Sequence, residues 1–235
     1  MQGRRSAVPA IAAVLVPLLL LVLAVLAWRV LRADPQPRPA PAAGSAAQAL
    51  AQLPVRPAET GEDYQRTRFG ESWVDTDGNG CRTRDDVLRR DLREVRLGED
   101  GCTVLAGTLE DPYSGEVIAF RRGAATSADV QVDHVVALAA AWRTGAADLD
   151  EDELVRFAND PLELLAVDGP LNSAKGDDDA SQWLPPRGEC AYVARQVAVK
   201  REWGLWVTPA EHAAMADVLA GCPGEPLPTG DAWTP

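Results

Sequence analysis

The chain has few of the residues from which metal sites and nucleic-acid surfaces are usually built. Its 235 residues include only two histidines, and none of its four cysteines stands in a Cys-x-x-Cys pair, so the usual spacing of a zinc knuckle is absent. Basic residues number 23 against 35 acidic ones, which gives a formal net charge of −12. This balance repels polyanions at long range and excludes a tight, high-occupancy nucleic-acid binder. The charge balance does not exclude an enzyme that binds phosphate through a metal ion and a few arginines.

An apolar run near the N-terminus carries no charge from Ser6 to Trp28 and has arginines on both sides. As a helix rising ~1.5 Å per residue, the run is long enough to cross a hydrocarbon core of ~30 Å. A signal peptide usually has a shorter apolar region, of about 7–15 residues. We therefore expect residues 1–33 to be a membrane anchor inserted through residues 6–28, with a cleaved signal segment as the alternative. Residues 34–62 are rich in Pro and Ala, and we expect them to form an extended linker.

The four cysteines, Cys81, Cys102, Cys190 and Cys222, are even in number and follow this export-like segment. Such usage is typical of two disulfides in an oxidising compartment, whereas four buried thiols in a cytosolic domain are the alternative. Helices predicted over residues 190–203 and 208–219 would, if antiparallel, bring Cys190 near Cys222 and leave Cys81 to pair with Cys102. We expect the domain to lie outside the cytoplasm, either anchored in the membrane or secreted after cleavage.

Residues 75–86 read DTDGNGCRTRDD and have the ligand spacing of a calcium loop, with Asp75 at its first position and Asp86 at its twelfth. Against this, no apolar helix precedes the loop, its last ligand is Asp instead of Glu, and Cys81 and Arg82 lie inside it. We expect a turn followed by a helix over residues 83–93 that Thr83 caps. A Ca²⁺ site in this loop is the alternative.

Other elements follow from local patterns. Residues 102–121 predict a hairpin with DPYSG in its connection, and residues 135–143 and 150–158 predict two helices. The helix over residues 208–219 begins with a capping box, Thr208-Pro-Ala-Glu211.

The stretch over residues 130–186 combines the features that carry chemistry. It opens with a β-branched strand, VQVDHVVAL, that contains Asp133 and His134. It continues with a second apolar strand, a Gly–Pro turn and a helix start that contains Asn172 and Lys175. An acid and an imidazole at one strand end, facing a carboxamide on the following helix, can form a metal site with a base beside it. The second histidine, His212, lies among alanines in a terminal helix, and we expect it to be a surface or partly buried residue.

This order of strand, connector, strand, turn and helix resembles the ββα-metal (HNH) nuclease motif. Three segments, VQVDHVVALAAAW, FANDPLELLAVDGPLNSAKGDDDASQWLPP and CAYVARQVAVKREWGLWVTPAEHAAM, resemble the C-terminal HNH domain of GmrSD-type restriction endonucleases. The resemblance extends from about Tyr64 to Cys222. It implies an α+β fold with a ββα-metal core and additional helices over residues 63–223, followed by a flexible tail over residues 224–235.

The resemblance also implies roles for single residues. His134 matches the general base, whereas Asp133 and Asn172 match the two protein ligands of one Mg²⁺ or Mn²⁺ ion. Lys175 would contact phosphate or the helix end. Glu163 stands where the family's middle Asn normally pins the loop that orients the base. The implied function is metal-dependent cleavage of nucleic acid, with DNA favoured over RNA. The alternative is a catalytically inactive, disulfide-stabilised envelope module on the same fold.

Overall fold

The computed structural model describes residues 41–124 and 126–230. The predicted membrane anchor, residues 1–33, lies outside the described residues. Among the described residues, no helix combines the length and the apolar character needed to cross a membrane.

The described elements include seven α-helices, two short 3₁₀ helices and five strands. The helices are α1 (Ala46–Leu50), α2 (Thr83–Asp91), α3 (Leu138–Arg143), α4 (Glu151–Ala158), α5 (Gly169–Lys175), α6 (Glu189–Glu202) and α7 (Pro209–Ala220), with short 3₁₀ helices at Arg66–Phe69 and Ala146–Asp148. The strands are β1 (Leu92–Leu97), β2 (Val104–Glu110), β3 (Val117–Arg121), β4 (Val130–His134) and β5 (Leu164–Asp168). The predicted α+β class is confirmed.

Two antiparallel sheets form the β part of the domain. One has three strands in the order β1-β2-β3, and the other pairs β4 with β5. The hairpin predicted over residues 102–121 is β2 and β3. Strand β1 was not predicted, because half of the residues in its sequence LREVRL are charged and only Leu92 at its start is buried. It extends the sheet through backbone pairing with β2.

The β4–β5 sheet is buried on both faces. On one face Val132 and Ala166 pack with α2 and the three-stranded sheet. On the other face Leu165 and Val167 pack with α1, α6 and α7. Each face buries apolar side chains, which holds the sheet rigidly between two layers and fixes the directions of its polar side chains.

Helix α5 follows β5 without a connecting loop. Asp168 caps it by accepting the Leu171 backbone N–H, and Pro170 occupies its first turn. Gly169 is needed at the junction, because a Cβ there would lie 1.8 Å from the Ala128 carbonyl oxygen. The predicted strand and helix are therefore present, but Gly169 and Pro170 begin the helix instead of forming a separate turn before it. This arrangement places Asn172 and Lys175 beside β4.

Both predicted disulfides are present, Cys81–Cys102 and Cys190–Cys222. The second joins the start of α6 to the end of α7, which are the two helices that the sequence predicts as antiparallel partners. The predicted capping box of α7 is also present: Thr208 accepts the Glu211 backbone N–H, and the Glu211 side chain accepts the Thr208 N–H. Helices α6 and α7 are thus joined by a covalent bond, and α7 is stabilised at its start by its capping box.

Helix α1 lies inside residues 34–62, for which the sequence predicts an extended linker. Its residues Ala46, Ala49 and Leu50 are buried against α6 and α7, and Ser45 caps the helix. Small alanines give this short helix an apolar face despite the proline-rich surroundings. This part of the range therefore belongs to the packed domain.

The start of α2 differs from the predicted one. The N-cap is Arg82, which makes no side-chain capping bond, and the Thr83 hydroxyl donates to the Val74 carbonyl instead. The prediction that Thr83 caps the helix is wrong, because its hydroxyl tethers the preceding loop. The helix ends at Asp91 since Leu92 turns into the extended backbone of β1.

Candidate functional site

The side chains of Asp133 and His134 point to opposite faces of β4. The strand continues through His134, which pairs with Leu164 of β5. Alternation along a strand therefore separates the two side chains. The residues predicted to form one site on β4 therefore lie in two separate places, one around His134 and one around Asp133.

His134 lines a cavity of about 670 Å³ together with Arg66, Glu71, Trp73 and Leu138. Its Nε2 lies 2.9 Å from the Ala158 carbonyl oxygen, at the end of α4. A carbonyl oxygen can only accept, so Nε2 carries the proton in this contact and Nδ1 keeps a free lone pair. Nδ1 is thus the atom that can take a proton.

The His134 imidazole is held in its neutral form. Burial lowers the pKa of His134 to about 3, because the imidazolium would lose its hydration. The Ala158 carbonyl raises this pKa, and the positive charges of Arg66 and Lys175 lower it further. At neutral pH the ring is therefore available as a proton acceptor.

Trp73 forms the wall of the cavity next to His134. Its ring is nearly parallel to the imidazole, at 17°, with 5.9 Å between ring centroids. The backbone of Trp73 has φ +66°, a left-handed conformation that bulky residues rarely adopt. The turn therefore holds a large ring against the histidine at a cost in backbone energy.

Arg66 supplies a positive charge to the same cavity. It begins the 3₁₀ helix Arg66–Phe69, which the buried ring of Phe69 fixes to the core. Within the described part of the chain Arg66 forms no ion pair, and it also lines a neighbouring cavity of about 410 Å³. Neither Trp73 nor Arg66 is among the site residues predicted from the sequence. No local motif marks either residue, since both lie some 60 residues ahead of His134.

Asp133 lies in a closed network on the other face of β4. Its Oδ2 accepts the Tyr113 hydroxyl at 2.6 Å, and its Oδ1 accepts Lys175 Nζ at 2.8 Å. Lys175 Nζ also donates to the His134 carbonyl oxygen at 2.8 Å. The side chains of Asp133 and Lys175 are 6% and 0% exposed, so the two charges neutralise each other inside the core.

Asn172 lies on the same face of β4, on α5. Its Nδ2 donates to Gln131 Oε1 at 2.9 Å. A divalent cation bonded to Asp133 would lie beside the Lys175 ammonium, and the two positive charges would repel in a site that excludes water. Asp133 and Asn172 therefore do not fit a divalent cation in this arrangement.

Glu163 holds the loop that follows His134. Its Oε2 accepts the Val136 N–H at 3.2 Å, and its backbone oxygen accepts the Val135 N–H at 2.9 Å. Oε1 has no hydrogen-bond partner among the described residues. Burial is the main cause that raises the pKa of the Glu163 carboxyl well above its ordinary range, and the negative charge of Asp133 adds to it. A neutral carboxyl thus occupies the position expected to pin the loop.

The loop over residues 75–86 forms a turn whose backbone N–H groups donate to side chains of the same loop. Asp75 accepts the N–H groups of Gly78 and Gly80, and Asn79 accepts that of Cys81. Among the described residues, the group of three acidic, Cys or His side chains close enough to share an ion is Cys190, Cys222 and Glu225. Both of those sulfurs are already bonded in a disulfide. The expected turn and following helix are present, and Ca²⁺ binding here stays a prediction.

Comparisons with known proteins identify a matching family and a relative. The sequence model of the family described as GmrSD restriction endonucleases, C-terminal domain, matches residues 82–218. An uncharacterized secreted protein of Arthroderma benhamiae is 36% identical over 208 residues, which cover 85% of this chain and 98% of that protein. No solved structure matches the chain. The family match contains β4, β5 and α5, whereas Arg66 and Trp73 precede it.

Proposed function

This chain belongs to the family of the C-terminal domains of GmrSD restriction endonucleases, and on that premise we propose that it is an exported nuclease whose general base is His134. The observation that carries the proposal is the neutral imidazole in the cavity, with a lone pair on Nδ1 and an arginine in the same cavity wall. Strands β4 and β5 with helix α5 are proposed to be the ββα core. Export is supported by the two disulfides and by the relative from Arthroderma benhamiae, which is described as secreted.

The proposed reaction is hydrolysis of a phosphodiester. A water molecule in the cavity attacks phosphorus while His134 Nδ1 takes its proton, a step that typically contributes about 10²–10⁴-fold to the rate. As the new P–O bond forms, the bond from phosphorus to the leaving 3′ oxygen breaks, and that oxygen takes a proton from solvent. The Ala158 carbonyl holds the ring in this orientation and stabilises the imidazolium that forms. A bound phosphate beside the ring raises the low pKa of His134, since its negative charge favours the cation. The Arg66 guanidinium stabilises the negative charge of the scissile phosphate.

The resemblance assigns one Mg²⁺ or Mn²⁺ ion to Asp133 and Asn172. Binding there requires Lys175 to leave Asp133, because the metal ion and the Lys175 ammonium would both bond to the same carboxylate oxygen. No step of the proposed reaction is therefore assigned to a metal. Lys175 is proposed to hold β4 and α5 together through Asp133 and the His134 backbone, in place of the phosphate contact that the resemblance implies.

A second candidate function is a non-catalytic envelope module on the same fold. The observation that favours it is the closed network of Asp133, Tyr113 and Lys175, which has the character of a structural ion pair. Glu163, where the family motif has Asn, is a further departure in the same region. In this reading the cavity beside His134 does no chemistry.

An assay of nucleic-acid cleavage separates the two functions. The purified protein is incubated with supercoiled plasmid and with single-stranded DNA and RNA, each in Mg²⁺, in Mn²⁺ and in EDTA. Cleavage in any of these conditions that depends on His134 supports the nuclease. Intact substrates in all of them would favour the envelope module. A difference between the metal and EDTA samples reports whether a cation is needed.

A further inference from the structure

We propose that the cavity beside His134 holds an unpaired nucleobase against Trp73, so that the substrate is single-stranded nucleic acid. The inference rests on the proposed nuclease function and adds the class of substrate. It depends on three observations: the strained backbone of Trp73, the position of Arg66 between two cavities, and the shortage of positive charge around them.

The conformation of Trp73 indicates that its ring is needed where it lies. A left-handed backbone is unfavourable for a residue with a Cβ, and Gly or Asn would adopt it more easily. The side chain is partly buried and packs against the core between α2 and the two sheets. It lines the cavity and lies parallel to His134. An aromatic ring at a cavity wall is a surface on which any base can stack.

Arg66 lies where the phosphate between two nucleotides would be. It lines both the cavity of about 670 Å³ that contains Trp73 and the neighbouring one of about 410 Å³. Leu138 is shared by the same two cavities. A strand with one base in the larger cavity and the next residue in the smaller one would place its connecting phosphate at the guanidinium, within reach of His134.

The charges around the cavities do not favour a duplex. Binding a duplex depends on many phosphate contacts made by Lys and Arg. Here Glu71 lines the larger cavity with Arg66, and in the smaller one Arg143 is paired with Asp177. Among the described residues that line these two cavities, Arg66 is the arginine without an ion pair, and one guanidinium provides for one phosphate. Affinity must therefore come mainly from stacking, which requires a base that is free of its pair.

The test is a binding cycle that removes either the bases or the ring. The probes are labelled DNA and RNA strands of about 12 nucleotides, a length within the usual single-strand footprint. They are compared with fully abasic strands of the same length and with a hairpin duplex. Affinity is measured by fluorescence anisotropy in EDTA, and cleavage of the same probes in Mg²⁺. The variants are Trp73→Asn, Trp73→Phe and Arg66→Gln, each checked for folding by thermal unfolding.

Removing the bases should weaken binding to the wild-type protein by about 5- to 100-fold, since stacking on an aromatic ring contributes that much. Trp73→Asn should bind the intact and abasic strands with nearly equal affinity, so that the two removals are not additive. Trp73→Phe should keep most of the preference for bases. Arg66→Gln should weaken intact and abasic strands by the same factor, because it removes a phosphate contact. The hairpin duplex should bind more weakly than the intact DNA strand and the intact RNA strand.

Equal affinity of the wild-type protein for intact and abasic strands would overturn the inference. So would an undiminished preference for bases in Trp73→Asn, or tighter binding of the hairpin than of the single strands. If binding follows the expected pattern and no probe is cleaved in Mg²⁺, the proposed nuclease function fails and the base-binding site stands. If all probes are cleaved equally and binding ignores the bases, the nuclease stands and the single-strand inference fails.

Discussion

At the scale of single residues, Glu163 is an acid that the fold keeps neutral. The family motif has Asn at this position, and Glu163 performs one part of that role by accepting the Val136 N–H. Its second oxygen is buried without a partner among the described residues, and burial raises the pKa of the carboxyl. A neutral carboxyl can replace an amide here because it avoids a buried charge beside Asp133.

This neutrality predicts a pH-dependent difference in stability between the wild-type protein and Glu163→Gln. Above an ordinary Glu pKa of about 4.5 the unfolded chain loses the Glu163 proton while the folded protein keeps it. The stability that this group contributes is therefore present below that pH and is lost as the pH rises toward the raised folded pKa. Each pH unit in this window changes the free energy of unfolding by about 1.4 kcal/mol. We expect Glu163→Gln to gain about 1–3 kcal/mol on the wild type between pH 5 and pH 7.

Urea unfolding of both proteins across this pH range checks the prediction. Lys175, Asp133 and Asp160 also act on this carboxyl, but they are present in both proteins and largely cancel in the comparison. A constant difference between pH 5 and pH 7 would contradict the buried neutral carboxyl. Activity of Glu163→Gln equal to or above that of the wild type would further support its role as a loop pin.

At the scale of elements, Lys175 joins α5 to β4. Its ammonium donates to the Asp133 carboxylate and to the His134 carbonyl, so one side chain fixes the helix on the strand that carries the base. Tyr113, from the connection between β2 and β3, completes the network from the other sheet. The geometry of β4 thus depends on contacts from two other parts of the fold.

Lys175→Met should destabilise the fold by about 3–5 kcal/mol, because it leaves the Asp133 charge buried and unpaired. The double variant Lys175→Met/Asp133→Asn should recover most of this loss, since Asn can still accept the Tyr113 hydroxyl and carries no charge. Urea unfolding of the two variants and the wild type measures the coupling. A single variant that loses less than about 1 kcal/mol would show that the pair contributes little.

The disulfide between α6 and α7 is the covalent link between the two terminal helices. It closes a chain segment with a sequence separation of 32. In the chain-entropy account a loop of this length contributes about 3–4 kcal/mol by restricting the unfolded chain. The variant Cys190→Ala/Cys222→Ala should lose about this much stability in denaturant unfolding. Reducing agent should act on both disulfides of the wild type but only on Cys81–Cys102 in the variant.

Titration of free thiols in protein recovered from its native host tests the compartment. An exported domain should show no reactive thiol after unfolding and before reduction, because both pairs are oxidised. Four reactive thiols would place the protein in a reducing compartment. Export and the disulfide pairing would then both have to be given up.

At the scale of the whole molecule, the sequence predicts the elements whose signals are local. The strands and helix around His134, the capping box of α7, and the disulfide partners are all visible from short patterns or from the order of helices. Strand β1 and helix α1 are not, since charged and proline-rich surroundings conceal short elements that are stabilised by tertiary pairing and burial.

The candidate site likewise contains residues that a local motif predicts and residues that no local motif predicts. Asp133, His134, Glu163 and Asn172 follow from the motif, but their partners come from distant parts of the chain. Tyr113, Arg66 and Trp73 reach β4 only through packing of the loops ahead of it. Sequence spacing also cannot tell that β4 runs on through His134, which is what separates the imidazole from the carboxylate.

The central claim is that His134 is the base of a nuclease, and the two histidines of the chain allow a matched test. His134→Ala and His212→Ala each remove one imidazole, but His212 lies on α7, away from the cavity. Initial rates of cleavage of a single-stranded oligonucleotide are measured for both variants and the wild type at equal folded concentration. We predict a rate about 10²–10⁴-fold below wild type for His134→Ala and a rate close to wild type for His212→Ala. A rate for His134→Ala within a few-fold of wild type would contradict the account.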